Sequence, residues 1–206
     1  MALPVALQLY SVRDELEADF EGTIAKVRKF GYDGVEFAGL YGRSAEQVRK
    51  ILADAGLTPV SAHVPLDELL GDTQAVVATY KEIGCKYIVV PYLPEDRRPG
   101  TEGFDRTIED IKKIADVCNA QGVRLLYHNH DFEFKKLDGN MRSTFSIRRF
   151  PLTDSRQRLT PAGSESQERI PPHMFLNTAA ERPLFISRII ICRARRSLKS
   201  SMSLSA

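Results

Sequence analysis

The feature that most constrains this chain is a unit that recurs along its first 140 residues. A short apolar run is followed by a turn and then by a helix-forming segment that ends at or beside a glycine. Val5 to Tyr10 is the first apolar run and reads as a strand. Ala18 to Phe30 then sets Phe20, Ile24, Val27 and Phe30 on one helical face, and Gly31 closes the segment. Gly34 to Phe37 is the second strand. Ser44 caps the next helix with Gln47 three residues on, the pattern of a capping box, and Gly56 ends it. Pro59 to Val64 is the third strand, and Leu66 to Ile83 is helical with a break at Gly71-Asp72 and a stop at Gly84. Lys86 to Pro91 is the fourth strand, Phe104 to Ala120 the next helix, and Val123 to His128 the fifth strand.

Strands alternating with helices imply a parallel sheet, and the lack of polar/apolar alternation within the strands implies burial on both faces. A doubly wound sheet shows the same alternation, but no Gly-x-Gly-x-x-Gly or Walker-type loop follows any strand. Polar residues gather instead at the C-terminal ends of the strands: Gln8 and Tyr10, Glu36, His63, Tyr92, and His128 to Glu133. That is the rim on which a (β/α)8 barrel builds its active site. The expectation is therefore an α/β fold, a partial (β/α)8 TIM barrel of about five β/α units over residues 1–140.

The segment Tyr127-His128-Asn129-His130-Asp131-Phe132-Glu133-Phe134 carries the most chemistry. Residues i and i+2 of a strand face the same way, so His128 and His130 can project together, and two imidazoles beside carboxylates can bind a metal or move a proton. The alternative is one histidine bonded to a backbone carbonyl and one in solvent. Glu36 and His63 end the second and third strands and reach the same rim. Glu36 is costly to bury alone, so a polar or charged partner is expected. Gln8, Tyr10 and Arg13 suit substrate hydroxyls or phosphate, although Arg13 also reads as a surface charge beside Asp14 and Glu15.

The run Leu7-Gln8-Leu9-Tyr10-Ser11-Val12-Arg13, then Tyr32-Asp33-Gly34-Val35-Glu36, Ser61-Ala62-His63 and the Tyr127–Phe134 segment resembles the sugar phosphate isomerase/epimerase family with its xylose isomerase-like barrel. The resemblance covers about residues 4–140. It implies a divalent metal (Mn, Mg, Co or Zn), with His128, His130 and Glu133 as this chain's contribution to the site. It also implies proton abstraction next to a sugar carbonyl to give an enediolate. Glu36, His63, His128 and His130 are then the catalytic candidates, Gln8, Tyr10 and Arg13 the substrate-binding ones, and a small sugar, keto-sugar or sugar phosphate the substrate. An inosose dehydratase-like or keto-sugar lyase activity starts from the same proton abstraction. A non-catalytic barrel fragment is the alternative outside enzymology.

After Asn140 the composition changes. Residues 1–140 carry 17 Lys and Arg against 23 Asp and Glu, a net of −6, whereas residues 141–206 carry 12 against 4, a net of +8. This tail holds 11 Arg, 11 Ser and five Pro without the strand–helix alternation, so it is expected to be irregular and not homologous to the barrel. A nucleic-acid arm is not favoured, for no binding motif or aromatic interleaving accompanies the arginines. Disorder suits the Ser, Pro and Arg content but not the apolar run Leu184 to Ile191. A shifted reading frame accounts for both. Suitable synonymous codons read one nucleotide earlier give D-T-C-W over Arg158–Ser164 and H-L-K-D over Leu184–Ile191, which look like the family's next metal-binding strands. Five strands alone leave open sheet edges, prone to oligomerisation, and lack the later metal ligands, so weak or absent catalysis is expected of the chain as written.

Nothing at the N-terminus reads as a signal peptide, no run of ~18 apolar residues exists to span a membrane, and Cys85, Cys118 and Cys192 are spaced neither as ligands nor as a disulfide framework. A reduced, cytoplasmic setting is expected. Sequencing the encoding DNA from about codon 135 onward checks the reading of the tail: a one-nucleotide shift should restore a family-like continuation. A sound frame would make the tail a genuine extension.

Overall fold

The computed structural model describes residues 4–128 and 130, together with short strands at 136–137, 140–141 and 190–192. Strand β1 (Val5–Gln8) leads through a 3-10 turn (Leu9–Val12) into α1 (Arg13–Ala18) and α2 (Phe20–Lys29). Then come β2 (Gly34–Ala38), α3 (Ala45–Ala55), β3 (Thr58–His63), α4 (Leu66–Gly71), α5 (Thr73–Ile83) and β4 (Tyr87–Val90). A 3-10 turn (Glu95–Arg97), α6 (Phe104–Ala120) and β5 (Arg124–Tyr127) complete the repeat, and β6 (Lys136–Leu137) and β7 (Asn140–Met141) form an antiparallel pair.

The order of the main sheet is β5-β4-β3-β2-β1-β8, with every pairing parallel. This order decides between the two architectures that a β/α repeat allows. A doubly wound sheet reverses direction at a switch point, whereas strands 1 to 5 here follow one another without reversal, as in a barrel wall. The sixth strand, β8 (Ile190–Cys192), comes from the far end of the chain and pairs with the outer edge of β1, Val5 opposite Ile190. The expectation of a wholly irregular tail needs this amendment. The physical reason is visible in the sequence: Ile189-Ile190-Ile191 is β-branched and apolar, and β1 offers it an unpaired edge.

Local sequence explains most element boundaries. The Ser44 side chain accepts from Gln47 N at 3.2 Å while Gln47 Oε1 accepts from Ser44 N at 2.9 Å, the reciprocal capping box at the start of α3. Gly56 and Gly84 end α3 and α5 in the left-handed conformation. Asp72 separates α4 from α5 by accepting from Ala75 N, and Asp19 does the same for α2 by accepting from Gly22 N. The first helical region is thus two helices, α1 starting at Arg13, rather than one over 18–30. Phe20, Ile24 and Val27 are buried as their spacing predicts, but Phe30 is 45% exposed because α2 ends at Lys29 and Phe30 lies past its last turn.

The two faces of the sheet differ. Leu7, Val35, Phe37, Ala62, Ile88, Val90 and Leu125 belong to the apolar core with side chains of α2, α3, α5 and α6, among them Ile24, Val48, Val77, Ile111 and Ile114. Alternate residues of the same strands point the other way, toward the barrel interior. None of the described helices is long and apolar enough to cross a membrane.

Gly34 marks the tightest point of the sheet: a Cβ there would lie 2.6 Å from the backbone oxygen of Thr58 on β3. Gly34→Ala must push β2 away from β3. It should cost about 1–3 kcal/mol, read as a lower urea midpoint with an unchanged slope.

Candidate active site

Six polar or charged residues are buried among those described: Gln8, Thr23, Glu36, Ser61, His63 and Thr107. The two threonines serve local structure, donating to Glu15 O and Gly103 O. The other four come from β1, β2 and β3, and parallel register brings them together. Gln8 pairs with Glu36 and Glu36 pairs with Ser61, so three side chains stand abreast on the interior face. His63, two residues beyond Ser61, faces the same way at the C-terminal end of β3.

A β-bulge makes this alignment. Val35 pairs with Pro59 but Glu36 pairs with Ser61, leaving Val60 as the extra residue of β3. Without that insertion Val60 would stand beside Glu36 and Ser61 would point into the helical layer. With it, Ser61 Oγ donates to Glu36 Oε2 at 2.5 Å. His63 Nε2 lies 3.2 Å from Glu36 Oε1, within ion-pair reach but not aligned as a hydrogen bond. Gln8 Nε2 lies 3.1 Å from His63 Nδ1, while Gln8 Oε1 is buried and finds no hydrogen-bond partner among the described residues. Among the described residues, the polar partners that a buried Glu36 requires include a serine and a histidine.

The other predicted residues fall into two groups. Rings run on from His63 across the strand ends: His63 to His128 at 5.0 Å, His128 to His130 at 5.0 Å, and His130 to Tyr92 at 5.3 Å between centroids, all edge-on. The i, i+2 spacing thus does set His128 and His130 side by side, and β3, β4 and β5 deliver them to the same place as His63. Tyr10 and Arg13 pair with each other at the start of α1. The Arg13 guanidinium covers the Tyr10 ring at 4.5 Å, donates to Tyr10 O and lies 3.5 Å from Asp14. Glu133 lies outside the described residues.

Two residues at the rim had no role assigned from sequence. Ser61 was legible only as part of Ser61-Ala62-His63, where i, i+2 spacing puts it on the histidine's face. Arg98 stacks on the exposed Tyr92 ring at 4.9 Å and donates to its hydroxyl. Neither Cys85 nor Cys118 offers thiolate chemistry: burial above all, with the Glu36 charge adding to it, pushes the Cys85 thiol up to about 12, and burial pushes Cys118 to about 12. Both remain protonated thiols near neutrality.

Whether these side chains fit a divalent ion can be tested on their arrangement. Among the described residues no three His, Cys, Asp or Glu groups converge closely enough to hold one. The described residues do not by themselves make a metal site.

The xylose isomerase-like TIM barrel family matches residues 24–149, more than half of the chain, and the chain belongs to that family. The match contains Glu36, His63, His128, His130 and Glu133 and begins after Gln8, Tyr10 and Arg13. Among solved structures the fold is similar to two sugar phosphate isomerase/epimerases from Parabacteroides distasonis. They are 20% and 22% identical, both at a TM-score of 0.62 and over 72% of this chain. It is also similar to an AP endonuclease of family 2 from Brucella melitensis, 16% identical at a TM-score of 0.56 over 72% of this chain. The chain spans 62% to 65% of the length of these three proteins. No curated protein matches it.

Ser61→Ala removes the hydroxyl donor from a carboxylate that is 1% exposed. It should destabilise the fold by about 1–3 kcal/mol, more than an exposed Ser→Ala change, as measured by urea denaturation.

Proposed function

We propose that this rim belongs to an isomerase or epimerase acting on a small sugar, keto-sugar or sugar phosphate by moving a proton on and off the carbon next to a carbonyl. One observation carries the proposal. Four of the six buried polar residues, among them a carboxylate and an imidazole 3.2 Å apart, gather on the interior face of three adjacent parallel strands, at or near their C-terminal ends. Such a pair costs stability when buried, so an apolar interior would be the cheaper solution if the face served packing alone.

In this reading Glu36 takes the proton from the carbon and the imidazole of His63 provides the hydrogen bond that steadies the oxygen as the carbonyl becomes an enediolate. Return of the proton to the neighbouring carbon gives the isomer, and return to the opposite face of the same carbon gives the epimer. His128 and His130 line the approach. A divalent ion would contribute Lewis-acid chemistry to such a site only with ligands beyond the described residues, among which no three candidate groups converge. Weak turnover in the 206-residue chain belongs to the same reading.

The test is proton exchange rather than turnover. The chain is incubated in deuterium oxide with a panel of keto-sugars and sugar phosphates, with and without manganese or magnesium, and followed by proton NMR. Deuterium should enter the position next to the carbonyl of at least one member, with little net conversion, and Glu36→Gln should lower the exchange by at least ~100-fold. Exchange that survives Glu36→Gln undiminished, or none in any member, overturns the proposal.

A further inference from the structure

We infer that Gln8 is a positioning residue: its amide holds His63 in the tautomer that carries its proton on Nε2, facing Glu36. The inference concerns the same site as the proposed function but stands on contacts within the chain, so it can be tested without substrate.

A neutral imidazole has one N–H and one lone pair, and the nitrogen bonded to a donor must be the acceptor. Gln8 Nε2 is 3.1 Å from His63 Nδ1, so the amide N–H donates and Nδ1 holds the lone pair. The proton then sits on Nε2, 3.2 Å from Glu36 Oε1. The reverse arrangement turns the Gln8 amide so that its oxygen faces Nδ1–H. The Nε2 lone pair would then lie 3.2 Å from a carboxylate oxygen in a water-poor interior, where two acceptors side by side repel each other. Ser61 Oγ already donates to the other oxygen of Glu36, at 2.5 Å, so Nε2–H places the positive end of a neutral N–H dipole beside the near oxygen without bonding it.

Register supports the assignment. Gln8 is buried, stands opposite Glu36 in the β1–β2 pairing and has no freedom to leave the row without vacating the interior face. The arrangement makes the Gln8 amide nitrogen part of the scaffold. It also makes His63 a donor at Nε2 rather than a base there, which leaves Glu36 as the group able to accept a proton.

Nitrogen-15 NMR reads the tautomer directly. The full chain is labelled at its four histidines, and the His63 signals are assigned by their loss in His63→Gln. Long-range nitrogen–proton correlations should show Nδ1 as the bare nitrogen and Nε2 as the protonated one in the unmodified protein. Gln8→Met, which keeps the volume but removes the amide, should leave the two tautomers mixed. Ser61→Ala, which loosens Glu36 without touching Nδ1, should leave the Nε2–H form dominant. A protonated Nδ1 in the unmodified protein overturns the inference even if neither variant folds. So does a Gln8→Met protein whose His63 pattern is unchanged, or a Ser61→Ala protein that mixes the tautomers as much as Gln8→Met.

Discussion

The site depends on how one carboxylate is kept inside a sheet. Glu36 is nearly inaccessible, and a buried carboxylate without donors is among the most expensive groups a fold can carry. Its two oxygens face different neighbours, Ser61 on one side and His63 on the other, both on β3. Those neighbours exist only because β3 carries one more residue than β2 at the point of pairing. The bulge at Val60 is therefore the structural decision from which the polar row follows, and it is made in the backbone. Gln8 extends the row to β1 through His63, so the three strands are linked by side chains as well as by their ladders.

Stability and chemistry occupy opposite faces of the same strands. On β2, Val35 and Phe37 enter the apolar core while Glu36 between them faces inward. On β3, Ala62 faces the core while Ser61 and His63 do not. Each fully buried aliphatic or aromatic side chain stabilises the fold by about 1.5–3 kcal/mol, and the helix-facing layer has many of them. A few kilocalories lost to an imperfectly satisfied polar row can be borne by that layer. The alternation of strands thus lets a single short segment serve packing and function without compromise between them.

Much of this was legible in the sequence, and the reasons are local. The capping box at Ser44 and Gln47, the glycines closing α3 and α5, and the break at Asp72 are short-range effects that a few residues determine. The i, i+2 spacing suggested the contact between His128 and His130, although β5 ends at Tyr127 and both lie beyond it. What could not be read needs knowledge of a neighbouring strand. Ser61 becomes a partner of Glu36 only through a register shift that neither strand announces by itself, although Pro59, which cannot donate to a ladder, sits beside it. The helix break at Asp19 was missed because an aspartate within an amphipathic stretch reads as an exposed polar residue until its side chain is seen to bond Gly22. Gln8 was legible as a rim residue, but its tie to His63 spans 55 positions in sequence.

The strand Ile190–Cys192 shows how differently the two kinds of requirement are met. It pairs in parallel with β1 although it lies in a stretch whose charge and composition differ from the rest of the chain. Pairing asks only for an extended backbone and side chains that tolerate a pleated surface, so a run of isoleucines qualifies wherever it occurs. A catalytic rim asks for particular groups at particular positions, and Ile190, Ile191 and Cys192 bring neither carboxylate nor imidazole to it. A sheet edge can therefore be occupied without the site being extended. The hydrogen-bonding demand of β1 is answered by backbone, while the polar row is made by the four side chains that β1, β2 and β3 hold in register.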